Sequence, residues 1–193
     1  VRQEVNGEMA KQVLVSEEVE IPENVEINIE GLKVTVKGPK GELSRDFSHA
    51  RGVIIRKEDN KVVVETYFAN RRRKALVGTI ASHIENMIRG VTKGYRYKLK
   101  IIYSHFPVTV VVDEKNRVVR IKNFLGEKAD RIARIVGDDV KVTVKGDDVI
   151  VEGIDIEHVG QTAANIELAT KVRDKDRRVF VDGIYIYDWG DEE

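Results

Sequence analysis

Few residues in this chain could do covalent chemistry, and their spacing argues against it. Cysteine is absent, which excludes disulfides, thiolate metal sites and cysteine nucleophiles. The four histidines, His49, His83, His105 and His158, stand singly, without the spacing of a metal-binding tract. Ser104 and His105 are adjacent, but neighbours on a strand project to opposite faces, so no nucleophile–base pair is expected. Gly38-Pro39-Lys40-Gly41 has the composition of a phosphate loop, yet no Gly-Lys-Ser/Thr follows and a hairpin turn is expected. The pairs Asp138-Asp139 and Asp147-Asp148 flank a strand and suit solvated turns better than acid–base work. No catalytic residue, metal site or cofactor is assigned.

The residues with chemistry to offer are cations. Arg71, Arg72, Arg73 and Lys74 stand where a helix is expected to begin. The helix dipole already presents partial positive charge there, so each cation is unfavourable by ~0.3–1 kcal/mol. An anionic partner would offset that cost. Arg89, Lys93, Arg96, Lys98 and Lys100 continue the same sign. A second cluster, Lys171, Arg173, Lys175, Arg177 and Arg178, lies at and beyond a helix C-terminus, where cations suit the dipole. Asp174 and Asp176 alternate with it, and physics alone leaves a helix-end counterion group and a phosphate-binding patch equally open. A third group, Lys122, Lys128, Arg131 and Arg134, is interleaved with Phe124 and Leu125.

The 193 residues carry 33 Lys+Arg against 33 Asp+Glu. The zero net charge conceals segregation: residues 1–31 carry two positive and eight negative side chains, and residues 70–100 carry nine and one. With 41% hydrophobic and 34% charged residues, the chain is read as globular, cytoplasmic and long enough for two small domains. No apolar run has the length of a membrane span, and no membrane partner is expected.

Period-two patterns predict antiparallel strands in two regions. Val25, Ile27 and Ile29 alternate with polar residues, as do Val34 and Val36, and Val62 and Val64. The texture returns at Leu99, Ile101 and Tyr103, at Val108, Val110 and Val112, and at Val140, Val142 and Val144. Each region is followed by a helix pattern, first Val77, Ile80, Ala81, Ile84, Ile88 and Val91, stopped at Gly90 or Gly94, then Val159, Ala163, Ile166 and Ala169. DNKVVVET at 59–66 matches GDDVIVEG at 146–153, and KGPKGE at 37–42 matches KNFLGE at 122–127. The near-constant offset predicts a duplication. The expected fold is α+β, two similar tandem domains, each a small antiparallel sheet with one packed helix. Residues 1–19 are read as an acidic head, 20–97 and 98–187 as the domains, and 188–193 as an acidic tail.

Residues 161–186, QTAANIELATKVRDKDRRVFVDGIYI, carry a tight string, Arg178-x-Phe180-x-Asp182-Gly183-Ile184-Tyr185. This resembles the signature of large-subunit ribosomal protein L-six in its archaeal and eukaryotic branch (L-nine in eukaryotic usage). SHIENMIRGVTKGY at 82–95, YSHFPV at 103–108, NFLGEKA at 123–129, IPENVEINIEG at 21–31 and VKGPKGEL at 36–43 are similar to that family too. The resemblance implies a non-enzymatic protein of two duplicated α+β domains. It implies binding to large-subunit ribosomal RNA near the sarcin–ricin loop and the factor-binding region, mainly through the second domain. Neighbouring ribosomal proteins and translation factors are the further partners implied.

Carried onto these positions, the resemblance favours Lys171, Arg173, Lys175, Arg177 and Arg178 as RNA contacts, with Gln161, Thr162 and Asn165 as polar contacts. Asp182-Gly183 is read as a shape-giving turn. The acidic ending after Tyr187 departs from the family's basic tails. A protein-interaction adaptor with duplicated α+β domains is the alternative that residue patterns alone leave open.

Overall fold

The computed structural model describes residues 14–67, 70–176 and 178–191. Two compact units divide the chain, residues 1–88 and 89–193.

The first unit contains β1 (Leu14–Glu20), β2 (Glu26–Glu30), β3 (Lys33–Gly38), β4 (Gly41–Asp46), β5 (Ile54–Glu58) and β6 (Lys61–Tyr67). They form two antiparallel sheets, ordered β2-β3-β4 and β1-β6-β5. The alternation drives this: Val34 and Val36 on β3 and Val62 and Val64 on β6 are fully buried. Gly38 pairs with Gly41 across Pro39-Lys40, so the glycine-rich string is the expected hairpin. Residues 14–19 of the acidic head, with Glu20, form β1, which pairs along its length with β6 and buries Val15 and Val19. Residues 1–13 lie outside the described residues.

Helix α1 (Arg71–Thr92) follows. The Asn70 carboxamide oxygen accepts from the Arg73 N–H at 2.8 Å, capping an otherwise unpaired donor. The stop is Gly94, at φ +79°, whose N–H donates to the Arg89 carbonyl. The helix runs on through Gly90, where the Ile154 carbonyl occupies the place of a Cβ. Gly90 therefore permits a close approach.

The second unit contains β7 (Tyr95–Ile102), β8 (Thr109–Asp113), β9 (Val118–Lys122), a 3-10 turn (Phe124–Gly126), β10 (Arg131–Arg134), β11 (Lys141–Lys145), β12 (Asp148–Gly153), α2 (Ile156–Ala169) and β13 (Gly183–Asp191). Its sheets are β10-β9-β8 and β11-β12-β7-β13. The core gathers Leu99, Ile121, Phe124, Val149, Ile166 and Ile184, and α2 packs on β7, β10, β12 and β13. Asp155 caps α2, accepting from the Glu157 N–H.

The wiring repeats. β2-β3-β4 corresponds to β8-β9-β10, and β1-β6-β5 to β7-β12-β11, with a helix after each last strand. This is the duplicated α+β fold, with two small sheets per unit where one was expected. A twisted three-stranded sheet buries only one face, and a second layer closes the core. β7 occupies the expected junction between domains, and β13 carries the acidic ending into the sheet as far as Asp191. No helix among the described residues is long and apolar enough to cross a membrane.

Candidate nucleic-acid interface

Folding sorts the cations into spent and available ones. Those around β7 are spent: Lys93 meets Asp191 at 3.4 Å, Arg96 meets Glu152 at 3.0 Å, Lys98 meets Asp188 at 2.9 Å and Lys100 meets Asp148 at 3.2 Å. The hydrogen bond and charge of Asp188 raise Lys98 above the usual lysine range, and Lys98 in turn lowers Asp188. The basic stretch is thus largely neutralised by acids of β12 and β13, and the acidic ending acts as its local counter-charge.

The start of α1 is different. Arg71, Arg72 and Lys74 are exposed, and the first turn holds no acid. Arg73 is half-buried, its guanidinium folded over Gly52. The helix begins where the dipole argument requires, so three exposed cations sit against its positive end.

The C-terminal cluster surrounds the far end of α2. Lys171 and Arg173 are exposed and have no acidic partner among the described residues. Lys171 lines two adjoining clefts of about 380 and 320 Å³, the first with Leu168 and Tyr185, the second with Arg173, Arg131 and Ile132. Lys175 Nζ lies 4.9 Å from the Phe180 ring centroid. Arg178 is held by Asp176 at 2.9 Å, which lowers that carboxyl below its ordinary range. Arg177 lies outside the described residues. Lys122, Lys128 and Arg134 are exposed and likewise without an acidic partner among the described residues.

Two expected contacts are corrected. Thr162 is fully buried, and its hydroxyl accepts from the Val136 N–H at 3.0 Å, so it joins α2 to the chain after β10 and cannot face RNA. Arg131 is committed internally. Its Nε and Nη2 donate to Glu127, its Nη1 donates to the carbonyls of Ala169 and Lys171, and it lies 4.4 Å from the Phe124 ring centroid. It satisfies carbonyls that the end of α2 leaves open, and its hydrogen bond lowers the Glu127 carboxyl. Gln161 is exposed and donates to Asn165, which donates to the Arg134 carbonyl.

Asp182 is a hub. Fully buried, it accepts from the Ser104 N–H at 3.0 Å, the Ser104 hydroxyl at 3.1 Å and the His105 ring Nδ1 at 2.9 Å. Burial pushes its carboxyl up, but hydrogen bonds from His105 and Ser104 outweigh burial and bring it to about 2. β7 ends at Ile102, so Ser104 and His105 are in a loop and the strand argument that separated them does not apply. Their side chains meet, Oγ to Nδ1 at 3.0 Å. They still do not form a nucleophile–base pair. A triad needs the carboxylate on one imidazole nitrogen and the hydroxyl on the other. Here Asp182 and Ser104 both address Nδ1, and the carboxylate orients both.

The same region gathers three strings distant in sequence. His105 stacks on Phe180 with centroids 4.6 Å apart, Asn123 donates to the Pro107 carbonyl at 3.0 Å, and Phe106 packs against Gly126. YSHFPV, NFLGEKA and RxFxDG thus build one surface. Asp182, read as part of a shape-giving turn, shapes the 104–105 loop instead, and His105 and Phe106 were not anticipated in this surface, although their string carried the family resemblance. Among the described residues no group of side chains could hold a metal ion.

The family model for ribosomal protein L6 matches residues 21–94 and again 106–183, the first match lying mostly in the first unit and the second wholly in the second. The chain is 76% identical over 185 residues to the large ribosomal subunit protein uL6 of Staphylothermus marinus, covering 96% of this chain and 100% of that protein. It is 68% identical over 183 residues to the uL6 of Desulfurococcus amylolyticus (95% and 99%), and 54% identical over 185 residues to that of Methanosphaera stadtmanae (96% and 99%).

Proposed function

The chain belongs to the ribosomal protein L6 family, whose members are structural and non-enzymatic, and on that premise we propose that it binds large-subunit ribosomal RNA mainly through its second unit. It holds the RNA near the sarcin–ricin loop and the translation-factor site, with neighbouring ribosomal proteins and translation factors as its other partners.

The sorting of cations carries this reading. Lys171, Arg173, Lys122, Lys128 and Arg134 belong to the second unit and lack acidic partners among the described residues, while the equally basic β7 is neutralised by its own sheet. Phosphate contacts from such cations position a protein on folded RNA without reading its sequence. Arg71, Arg72 and Lys74 supply a second patch in the first unit. Gln161 and Asn165 supply polar edges beside Arg134.

The test is equilibrium binding of the full chain to purified large-subunit ribosomal RNA across a salt series. The expected result is a log-linear fall in affinity with salt. The double variant Lys171→Ala/Arg173→Ala is expected to bind more weakly and to lose roughly 1.5–2 from the slope, one counterion release per lost contact. Binding that ignores salt would favour a protein-docking adaptor and sink the RNA reading.

A further inference from the structure

The loop after β7 combines exposure with rigidity. Phe106 is 46% exposed and Tyr103 45% exposed. Exposed aromatic rings on a loose loop would lose much conformational freedom on binding a partner. Here that freedom is already removed. Asp182 fixes Ser104 and His105 through backbone and side-chain donors, Phe180 stacks under His105, and Asn123 holds the Pro107 carbonyl. Ring carbons of Phe106 lie 3.3–3.5 Å from where a Cβ on Gly126 would stand, and Gly126 has φ +75°. A side chain there would displace the ring.

The electrostatic setting selects the partner. Lys175 lies over Phe180, and Lys122 and Lys128 flank the turn against which Phe106 packs. Glu127 and Asp176, in the neighbouring segments, are already bonded to arginines. The exposed rings of His105 and Phe106, with half-buried Phe180 beneath His105 and cations in the adjoining segments, match a base together with its phosphates. We infer that His105, Phe106 and Phe180 form a prepared stacking site for an unpaired nucleobase of the RNA, with Phe106 as the ring that the base covers. This rests on the RNA reading above and adds a contact of a different kind, since stacking releases no counterions.

Phe106→Leu and Phe106→Trp in the full chain separate the possibilities, with purified large-subunit ribosomal RNA as the probe. Thermal unfolding serves as the check that both variants remain folded. The Leu variant is expected to bind roughly five- to a hundredfold more weakly with an unchanged salt slope, and the Trp variant to bind as the parent does. Ultraviolet zero-length crosslinking of the parent complex should join a base to the peptide containing Phe106. Parent-like affinity of the Leu variant, a lowered salt slope in it, or crosslinks confined to other peptides would each overturn the stacking site. If the unaltered chain does not bind the RNA at all, the broader RNA reading fails instead.

Discussion

Each unit buries one carboxylate among the described residues, and the two are used differently. In the first unit Glu65 on β6 is bonded by Arg56 on the paired strand β5 at 2.8 Å. That tie closes within a single hairpin and reinforces a sheet. In the second unit Asp182 reaches a loop 78 positions earlier in the chain and fixes exposed rings. The edges differ as well. β7 is covered by β13, whereas among the described residues β1 has no strand on the corresponding edge. The helices carry charge in opposite senses, with exposed cations and no acid in the first turn of α1 but an acidic cap and Glu157 at the start of α2. Duplication supplied one scaffold twice. The specialised surface of the second copy forms where the segment that follows its helix meets the loop after β7 and the turn after β9.

The strongest challenge to this contrast is Asp182→Ala. Loss of the hub is expected to destabilise the second unit by ~2–4 kcal/mol, because several charge-assisted hydrogen bonds go together, as read by urea denaturation. The pH dependence has a definite sign. The Asp182 carboxyl is lowered to about 2, so its contribution is present above the unfolded value near 3.8 and is lost as pH falls through about 2. The variant's acid limb should lack that component. An unchanged limb would mean that the tie shapes the loop without stabilising the unit.

Next in size is a pair of glycines on α1, one in each unit. Gly90→Ala drives a methyl into the Ile154 carbonyl and is expected to cost ~1–3 kcal/mol. Gly78→Ala meets nothing within 4 Å and should stabilise by ~0.5–1 kcal/mol. Equal effects in thermal melts would show that neither position is set by its surroundings.

The charge layouts predict opposite signs. Removing Arg71, Arg72 and Lys74 together relieves the start of α1 and should raise stability by ~0.3–1 kcal/mol per charge. Removing Lys171 and Arg173 withdraws favourable charge from the end of α2 and should lower it slightly. Matching signs would erase the contrast.

The smallest effect belongs to His158, which bonds Asp139 at 2.7 Å. Burial lowers its pKa, but the Asp139 hydrogen bond and the charges of Asp155, Asp139 and Glu157 raise it overall. Its contribution is therefore full below about 6.5 and is lost as pH rises through the folded value. A histidine titration followed by NMR should place it above the ordinary range, and Asp139→Asn should return it toward that range.

Local features were legible in sequence because they depend on local spacing. The alternation at Val34/Val36 and Val62/Val64 gave strands, the three-and-four spacing from Val77 to Val91 gave α1, and the near-constant offset gave the duplication. Features that depend on distant partners were hidden. Nothing near Lys98 announces Asp188, so the basic stretch looked available when its sheet neutralises it. Thr162 and Arg131 had suitable chemistry for RNA, and only burial and bonding remove them. Ser104 and His105 were judged as strand neighbours, and a carboxylate far along the chain decides their geometry.

The pairing of β13 with β7 also constrains the order of events during synthesis. Tyr95 is matched with Asp191 and Ile102 with Gly183. The central strand of the second unit therefore leaves the synthesising ribosome long before the strand that covers its edge. Long-range pairing of this kind is slow to form, and an open strand edge invites wrong partners in the interval. The first unit, whose described strands all precede α1, can assemble its sheets while the second is still being made. The second must wait until β13 has been made.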